Sequence, residues 1–580
     1  MRNLFKYFST VKKDLIITPI LILFEVFFEI LIPVYMKKMI DEGIGEGVGL
    51  QNPTLVYQYG AMMIVFALIA LVFGIMVTKT SAKVATEFSM NLRQAQFEKI
   101  QEYSFENIDK FKTSSLITRM TMDVNMIQMA TNMMLRVTFR APSMIIFSIV
   151  SISLFAPKLI TVFLIALPIL IIGFFVIMKG SHRHFVKMFS KLDNLNLTIQ
   201  EDLIGIRTVK SFVREDYEVD RFTDATMEVR NNSIKAEKWI IFNNPLMSFA
   251  IGLSFVLVGW LGSNLMVGGT LTKGEFANTI TYINQVLFSL MMISQVFLML
   301  VMSKEPIRRI NEVLNEKPLL VEKEDPINYM RDGSFRFDNV SFKYGLSSDK
   351  YVLDNINLNI ESGSFVGIFG ATGTGKTTLV QLLARLYDVN KGTIYVGGKD
   401  IRDYSIETLR ANINLVLQKN VLFSGTIRDN IKWGNKDATD EEIIEVLKKS
   451  EAYEFVSKME KGLDTWIEQG GVNVSGGQRQ RLTIARALIS KPKILILDDS
   501  TSAVDTKTDS KIRHALNVES PEMTKVVISQ RLTSIEDADV IILMDESGIQ
   551  SMGTHDDLYK NNKMYKDIYD TQARGREVLE

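Results

Sequence analysis

The stretch FVGIFGATGTGKTT, residues 365–378, decides the fold of the C-terminal half of the chain. A short, β-rich apolar run ends at Gly370 and leads into the pattern Gly-x-x-x-x-Gly-Lys-Thr, in the strand–loop–helix order that defines a P-loop. Glycines allow backbone N–H groups to surround phosphates, and the start of the next helix adds a partial positive charge. A flexible glycine turn is the alternative, but a chance match in this order is rare. The stretch therefore predicts an α/β P-loop nucleotide-binding domain.

Residues of this loop, and a strand further along, predict how a nucleotide would be held. Lys376 would neutralise the β- and γ-phosphates, and the Thr377 hydroxyl would ligate Mg²⁺. The apolar run Ile494–Asp498 indicates a buried parallel strand that presents a carboxylate at the edge of a sheet where ligands bind. We expect Asp498 to share the Mg²⁺ with Thr377; the alternative is a strand that ends in a solvated aspartate. The loop residues predicted to bind nucleotide are Gly370, Thr372, Gly373, Thr374, Gly375, Lys376, Thr377 and Thr378.

Apolar residues concentrate before about residue 305, in six stretches that each approach the ~20 residues needed to cross ~30 Å of hydrocarbon. Lys and Arg are frequent before the first stretch, after the second, after the fourth and after the last, and scarcer elsewhere. The positive-inside rule then places both termini in the cytoplasm. The six stretches lie at 15–36, 59–78, 137–156, 158–178, 243–266 and 277–302.

The sequence thus predicts a multidomain membrane protein. An all-α transmembrane domain with six spans would occupy residues 1–314, a polar linker residues 315–332, and the nucleotide-binding domain residues 333–580. The basic N-terminal segment leads into a full-length span, so we expect no cleavable signal peptide.

The two long connections on the cytoplasmic side are poor in helix breakers. Residues 79–141 contain no Gly or Pro, and residues 181–244 contain no Pro and one glycine, Gly205. The spans are therefore predicted to continue as helices out of the membrane, in out-and-back pairs about 40 Å long. Turns are expected near Asn107–Ser115 and Val213–Tyr217, where tips could touch a cytoplasmic domain; solvated loops are the alternative.

Two carboxylates stand inside the first apolar stretch. Glu25 and Glu29 are four residues apart and so share one helical face. Charges at this depth are costly unless they face a cavity or a partner, so we predict contact with substrate. The alternative is that Glu29 lies near the outer mouth and is hydrogen-bonded for helix packing. The chain also contains 29 Met and 34 Phe, which suits an adaptable apolar cavity, although lipid-facing side chains would account for most of them.

Composition limits the other classes of function. Lys+Arg and Asp+Glu are both 66, so no global charge points to a nucleic-acid partner. There is no Cys, which excludes disulfides and thiolate metal sites. The four histidines show no zinc-like spacing.

The segment Val474-Ser-Gly-Gly-Gln478 makes the family resemblance specific. It resembles the signature motif of the ATP-binding cassette (ABC) transporter superfamily, and six spans followed by a cassette resemble its exporter branch, the type IV fold. The resemblance implies that two cassettes share two ATP molecules with Mg²⁺, so that Ser475, Gly476, Gly477 and Gln478 would face the nucleotide on a partner's P-loop.

The resemblance implies roles for three further positions. Tyr344 would stack on adenine, and Gln418 would bind Mg²⁺, sense the γ-phosphate and couple to the membrane domain. Ser502-Ala-Val-Asp505 would form the loop that crosses the dimer interface, with Asp505 near the nucleotide.

Two positions depart from the family pattern. Asp499 stands where active members carry a catalytic Glu. Because Asp is one methylene shorter, its carboxylate is withdrawn by about 1.5 Å from the position of the Glu carboxylate, and a misplacement near 1 Å can lower a rate ~10²-fold. Gln530 stands at the position of the switch histidine and cannot carry a positive charge. Together the departures resemble the degenerate subunit of heterodimeric bacterial multidrug exporters.

The resulting hypothesis is one half of an ATP-driven exporter of small amphiphilic compounds. It would lie in the bacterial cytoplasmic membrane beside a second half-transporter that supplies the missing Glu and His, with the ATP-binding domain in the cytoplasm. Three alternatives stay open: a homodimeric exporter of lipids, peptides or drugs, a soluble ABC ATPase acting on nucleic acid or ribosomes, and a channel or regulatory ABC protein.

Overall fold

The computed structural model describes residues 2–45, 52–345, 350–500, 504–546 and 548–577. The chain divides into two compact units. The first comprises Met1–Gln101 and Thr113–Glu316, and the second comprises Glu102–Lys112 and Lys317–Glu580.

The described residues of the first unit form helices joined by short turns, with no strand among them. Short 3-10 or π-helical turns at Arg2–Val11, Met39–Ile44, Arg119–Asp123 and Pro157–Leu159 join or extend its helices. The α-helices are α1 Lys12–Lys38, α2 Pro53–Gln101, α4 Thr113–Thr118, α5 Val124–Phe155, α6 Ile160–Ile204, α7 Ile206–Ser211, α8 Glu215–Ile240, α9 Asn243–Val267 and α10 Lys273–Asn315; α3, Phe105–Phe111, belongs to the second unit.

Six helical segments among the described residues are long and apolar enough to cross a membrane, as predicted. Several extend far beyond the ~20 residues that a bilayer needs. The 49 residues of α2, for example, make a rod about 73 Å long at 1.5 Å per residue. The six segments are Leu4–Ile44, Pro53–Gln101, Thr113–Phe155, Pro157–Ile204, Glu215–Val267 and Lys273–Asn315.

The helices of the first unit pack around a shared apolar core. Ile22 and Val26 of α1, Leu170 of α6 and Val286 of α10 are completely or almost completely buried in it. The buried Tyr282 on α10 donates a hydrogen bond to the Ile30 carbonyl oxygen on α1 over 3.0 Å. Burial of apolar stripes against one another, together with such satisfied polar groups, sets the arrangement of these helices.

The second unit is an α/β fold whose described strands form two main sheets. A four-stranded antiparallel sheet has the order β2-β1-β4-β5, and a six-stranded, mostly parallel sheet has the order β12-β11-β3-β10-β9-β6. The strands are β1 Phe335–Phe342, β2 Leu353–Ile360, β3 Phe365–Gly370, β4 Lys391–Val396, β5 Lys399–Asp400, β6 Ile413–Val416, β7 Gly425–Thr426, β8 Trp466–Ile467, β9 Ile494–Asp498, β10 Thr524–Ile528, β11 Val540–Asp545 and β12 Gly548–Gly553.

Helices of this unit pack on the sheets. The strands β3, β9 and β10 are buried along their whole length, as expected for parallel strands covered on both faces. The helices are α11 Lys376–Leu383, α12 Ile406–Asn412, α13 Ile427–Lys432, α14 Asp440–Lys449, α15 Tyr453–Ser457, α16 Gly476–Leu488, α17 Thr506–Glu519, α18 His555–Asn561 and α19 Lys563–Glu577.

The first predicted helical tip is part of the second unit. The short helix α3 is bounded by the Ser104 cap and by Lys112, whose φ of 59° ends it. Asn107 donates a hydrogen bond to the Lys317 carbonyl oxygen over 3.0 Å, and the Tyr387 hydroxyl donates to an Asp109 carboxylate oxygen over 2.8 Å. The turns therefore lie at the two ends of α3, within and just before the predicted stretch.

An aromatic chain leads from α3 towards the P-loop helix. The Tyr387 ring lies 6.2 Å from the Phe105 ring and 5.3 Å from the Tyr344 ring, centroid to centroid. The Tyr344 hydroxyl is 3.0 Å from the Thr378 hydroxyl on α11.

The second tip lies in the first unit. Here α6 ends at Ile204, the short α7 follows Gly205, and residues 212–214 separate α7 from α8. Val213, with φ of 52°, lies in this break, as predicted, while Tyr217 already belongs to α8.

Candidate nucleotide site

A cleft opens at the carboxyl ends of the parallel strands. Gly370 ends β3, Asp498 ends β9, and Gln418 and Gln530 follow β6 and β10 two residues after each strand ends. Because the carboxyl ends of parallel strands meet at one edge of the sheet, these four positions come together there. The cleft has a volume of about 320 Å³ and is lined by Val352, Thr372, Gly373, Gly375, Lys376, Thr377, Thr378, Gln418, Asp498, Asp499, Ile528 and Gln530.

The P-loop has the backbone that phosphate binding requires. Gly373 and Gly375 have φ of 87° and 88°, the left-handed region that only glycine enters without strain. A Cβ atom on Gly375 would approach Leu353 Cδ2 to 2.7 Å, so the loop also depends on the absence of a side chain there. The helix α11 begins directly afterwards, and its first three residues line the cleft, so that its N-terminal N–H groups lie where an anion site needs them.

Lys376 places its ammonium group at this loop. Its Nζ donates to the carbonyl oxygens of Gly370 and Ala371 over 2.8 and 2.6 Å. Burial lowers the pKa of Lys376, while the Asp498 and Asp499 carboxylates raise it. A further negative charge in the cleft would therefore compensate the cost of burying this cation.

Thr377 and Asp498 form a hard-oxygen pair. Asp498 is only 3% exposed, and burial raises the pKa of its carboxyl group, while a hydrogen bond from Thr377 lowers it. A hydroxyl and a carboxylate side by side are the ligand types that Mg²⁺ takes when phosphate oxygens and water complete its shell. The residues present therefore fit a magnesium–nucleotide complex.

Asp499 follows directly and stands between two amides. Its Oδ2 accepts hydrogen bonds from Gln418 Nε2 over 3.2 Å and from Gln530 Nε2 over 3.3 Å. Asp499 has φ of 48°, an uncommon conformation for a residue with a side chain, and burial raises the pKa of its carboxyl group. The structure thus brings together the three residues predicted at the reacting end of the nucleotide.

Other predicted nucleotide residues do not line the cleft. The Thr374 hydroxyl donates to the Ala371 carbonyl oxygen and stabilises the loop from within. Tyr344 holds its hydroxyl against Thr378 and Gln381, next to the P-loop helix. A Cβ atom on Gly370 would lie 2.2 Å from the Met544 carbonyl oxygen, so glycine is needed here to let β3 and β11 approach each other.

The predicted signature segment forms the start of α16. The Ser475 hydroxyl accepts from the Gln478 N–H over 3.2 Å, and the Gln478 side chain accepts from the Ser475 N–H over 3.0 Å, which is a capping box. Because the hydroxyl only accepts in this arrangement, its own hydrogen stays available to another acceptor. Gly476 is exposed and Gly477 half-buried at the same helix start.

The predicted interface loop is only partly described. Residues 502 and 503 lie outside the described residues. Asp505 caps α17 by accepting from the Thr508 N–H over 2.9 Å.

In the first unit, Glu25 and Glu29 share a partner that the sequence analysis missed. Arg140 on α5 donates through Nη1 to Glu25 and through Nη2 to Glu29 Oε2, the latter over 2.8 Å. One arginine with two carboxylates leaves a net charge of −1 when all three groups are ionised. The available signal was an arginine inside the third apolar stretch, a residue that intramembrane sequences carry rarely.

The first unit also encloses an apolar cavity of about 470 Å³ between α6, α9 and α10. Its lining is dominated by large apolar side chains, and neither Glu25 nor Glu29 is among the described residues that line it. The aromatic and sulfur-containing side chains of this lining are Phe174, Phe175, Met178, Phe185 and Phe297.

A P-loop domain joined to six membrane-crossing helices is the architecture of ATP-driven membrane transporters. The sequence matches the family "ABC transporter transmembrane region" over residues 15–290 and the family "ABC transporter" over residues 353–502. The ABC transporter ATP-binding protein YfiB of Bacillus subtilis is 35% identical over 561 residues, which cover 97% of this chain and 96% of that protein. An ATP-dependent lipid A-core flippase of Desulfotalea psychrophila is 31% identical over 501 residues, 86% of each chain.

This chain belongs to the ABC transporter family and has the half-transporter architecture, with one transmembrane region and one ATP-binding domain. It is a multi-pass membrane protein and an ATPase-coupled transporter. A solved bacterial Atm1-family ABC exporter with ATP bound matches its fold with a TM-score of 0.86 at 24% identity, over 97% of this chain and 100% of that one. The predicted fold class is thereby confirmed, and the alternative of a soluble ABC ATPase is wrong.

Proposed function

We propose that this chain is the impaired half of a heterodimeric exporter, which binds ATP at its own P-loop and hydrolyses it poorly. One observation carries the proposal: among the described residues that line the cleft, none is a Glu or a His. In that same lining, the carboxylate beside Asp498 is the short one of Asp499, and two amides already occupy its Oδ2. A general base in that state would take a proton from water inefficiently, because the two donated hydrogen bonds stabilise the unprotonated carboxylate and the side chain is one methylene shorter than Glu.

The P-loop side of the cleft would bind the nucleotide. The P-loop N–H groups and Lys376 would hold the phosphates of ATP, and Thr377, Asp498 and Gln418 would surround Mg²⁺. Magnesium would supply charge neutralisation at the phosphates, and this chain's residues would orient them. Tyr344 would support the adenine. The same proposal gives residues 1–314 to the transmembrane domain, 315–332 to the linker and 333–580 to the nucleotide-binding domain.

The signature segment would serve the partner's ATP. Ser475 and the N–H groups of Gly476 and Gly477 open a helix, where donors and the partial positive charge favour an anion. The hydrogen of the Ser475 hydroxyl, which the capping box does not require, adds one more donor. This segment does not line the chain's own cleft, which supports a role opposite the P-loop of a second half-transporter.

Transport would follow alternating access in the cytoplasmic membrane, with the ATP-binding domain inside. Two features support a small amphiphilic substrate: the apolar cavity lined by Phe and Met, and the cluster Glu25–Glu29–Arg140 with its net negative charge. A cationic group on the substrate would be attracted to that cluster, where low polarity strengthens charge interactions.

ATPase activity tests the proposal. The chain purified alone should turn over far below the ~1–10 s⁻¹ of ordinary enzymes. Co-purification with a partner that carries Glu and His should restore turnover. As a matched control, the partner with its catalytic Glu changed to Gln should fail to restore it. Robust hydrolysis by this chain alone would refute the heterodimer.

A homodimeric lipid exporter is the second candidate, and the similarity to a lipid A-core flippase favours it. In that case Asp499 would act as the base, and Asp499→Asn would abolish hydrolysis by the chain alone. A channel or regulatory ABC protein would be recognised by ATP-gated conductance in the absence of uphill transport.

A further inference from the structure

A glutamine on the last helix holds the loop that carries Gln530. Gln572 on α19 accepts a hydrogen bond from the Leu532 N–H through Oε1 over 2.9 Å. Through Nε2 it donates to the Gln530 carbonyl oxygen over 3.1 Å. One side chain thus holds the main chain at two positions of the loop after β10, and neither bond depends on which side chain occupies position 530.

The same loop is fixed from the side of the sheet. The Ser529 N–H donates to the Ile368 carbonyl oxygen over 3.3 Å, and the Ser529 hydroxyl accepts from the Arg531 N–H over 3.0 Å. The side chain of Gln530 then reaches into the nucleotide cleft and donates to Asp499. The direction of Gln530 is therefore set by a main chain that is held from both sides.

The helix that carries Gln572 is itself firmly anchored. Tyr565 of α19 is fully buried, and its hydroxyl lies 2.8 Å from Nδ1 of His555 on α18. The Tyr569 ring lies 4.7 Å from the His555 ring, and its hydroxyl donates to Glu536 over 2.9 Å. Leu532 is completely buried in the same core as Tyr565. A rigid support of this kind is what a positioning side chain requires.

We propose that Gln572 is a positioning residue of the nucleotide site, which fixes the main chain at Gln530 so that this side chain meets the third phosphate of ATP. The inference rests on the proposed binding of ATP at the P-loop, but not on the heterodimer. A primary amide suits the task because it supplies one donor and one acceptor in a fixed geometry. A carboxylate at 572 could still accept from Leu532, but it would set a negative oxygen against the Gln530 carbonyl.

Gln572 should affect the binding of ATP but not the binding of ADP, which lacks the third phosphate. The P-loop would hold the α- and β-phosphates, with Lys376 at the β- and γ-phosphates, and Gln572 has no described contact with either the loop or Lys376. Of the three phosphates, the third is the one that would lie next to Gln530, at the end of the cleft that holds Asp499. Loss of the Gln572 bonds should therefore weaken binding of a triphosphate and leave binding of a diphosphate unchanged.

The experiment measures binding of MgADP and of a non-hydrolysable imido analogue of ATP to the full-length chain in lipid nanodiscs. Gln572→Ala and Gln572→Glu should each weaken analogue binding by about three- to tenfold, the equivalent of one hydrogen bond. ADP binding should stay at the wild-type value, which also shows that the variants are folded. Thr571→Ala is the matched control, because its hydroxyl bonds only to the Asp567 carbonyl oxygen of its own helix among the contacts described.

A second arm asks whether the effect passes through Gln530. In a Gln530→Ala background, Gln572→Ala should cost nothing further, because coupled residues are non-additive. Equal weakening of ADP and analogue would overturn the proposal and leave α19 a purely structural support, as would analogue binding that Gln572→Ala does not change. A wild-type chain that bound neither nucleotide would overturn the ATP site itself, whereas hydrolysis by the chain alone would overturn only the heterodimer.

Discussion

The nucleotide cleft and the membrane cluster are both places where charge is buried, but they are built in different ways. In the cleft, the β-sheet brings Lys376, Asp498 and Asp499 to one edge through strand order, and backbone groups supply much of the site. In the membrane cluster, Arg140 meets Glu25 and Glu29 only because α1 and α5 pack together. The first kind of site is fixed by the topology of the sheet, and the second by the packing of two helices. Changes in the cleft should therefore act on ATP, and changes in the cluster on substrate.

The largest effect is expected within the cassette. Ser475→Arg should lower ATPase activity of the whole complex by about 10²–10³-fold or more, because it removes a preorganised donor and forces a bulky charge into a closed interface. Asp499→Asn should lower it only modestly, because little hydrolysis takes place at that site. Steady-state phosphate release from the two variant complexes measures both. Equal damage from both changes would mean that this chain's own site hydrolyses ATP.

A gain of function comes next. Asp499→Glu combined with Gln530→His should raise turnover at this chain's site by about ten- to a hundredfold, because the base regains its reach and the switch position its charge. The assay uses a complex in which the partner's catalytic Glu is changed to Gln, so that only this site contributes. Either single change should give less than the pair. If the double variant stayed inactive, other features of the cleft would cause the impairment.

The membrane cluster should give a smaller and selective effect. Glu25→Gln takes the net charge of the cluster from −1 to 0 and should reduce export of cationic substrates several-fold more than export of neutral ones, with ATP binding unchanged. Glu25→Gln together with Arg140→Gln returns the net charge to −1 and should recover cation export. Transport into inside-out vesicles measures this. Loss of folded protein alone, or an equal effect on both substrate classes, would support a packing role instead.

The smallest expected effect is a pH dependence of metal binding. Burial raises the pKa of Asp498 above its ordinary value of 3.8, despite the hydrogen bond from Thr377. Above its pKa the carboxylate is charged and attracts Mg²⁺, and below it the protonated group does not. Mg²⁺-dependent ATP binding should therefore decline on acidification while the pH is still above 3.8. Asp498→Asn should abolish this dependence, and ATP binding measured without Mg²⁺ should not show it.

Much of the cleft could be predicted because its residues are neighbours in sequence or end adjacent strands. The P-loop order, the carboxylate after an apolar run and the six apolar stretches each carry their own local signal. Arg140 was missed because its pairing with Glu25 spans 115 residues, and only packing decides it. Gln572 carried no signal at all, since it lies on a polar helix beyond the last strand. The adenine contact of Tyr344 and the roles of Ser475 and Asp505 stay predictions, because they depend on a ligand or a second chain.

The membership of α3 in the second unit has a consequence for how this chain can be divided. A cassette cut free at the linker would leave behind residues 102–112, and with them Asp109, which accepts from the Tyr387 hydroxyl, and Asn107, which donates to the Lys317 carbonyl oxygen. The Tyr387 ring, which packs against Tyr344 beside the P-loop helix, would then lose the cover of Phe105. An exchange of cassettes between related transporters would therefore have to include two separate gene segments. Otherwise the recipient's own residues 102–112 would already have to fit the new cassette. The unit that would have to be inherited together is thus discontinuous in sequence, because it comprises residues 102–112 as well as 317–580.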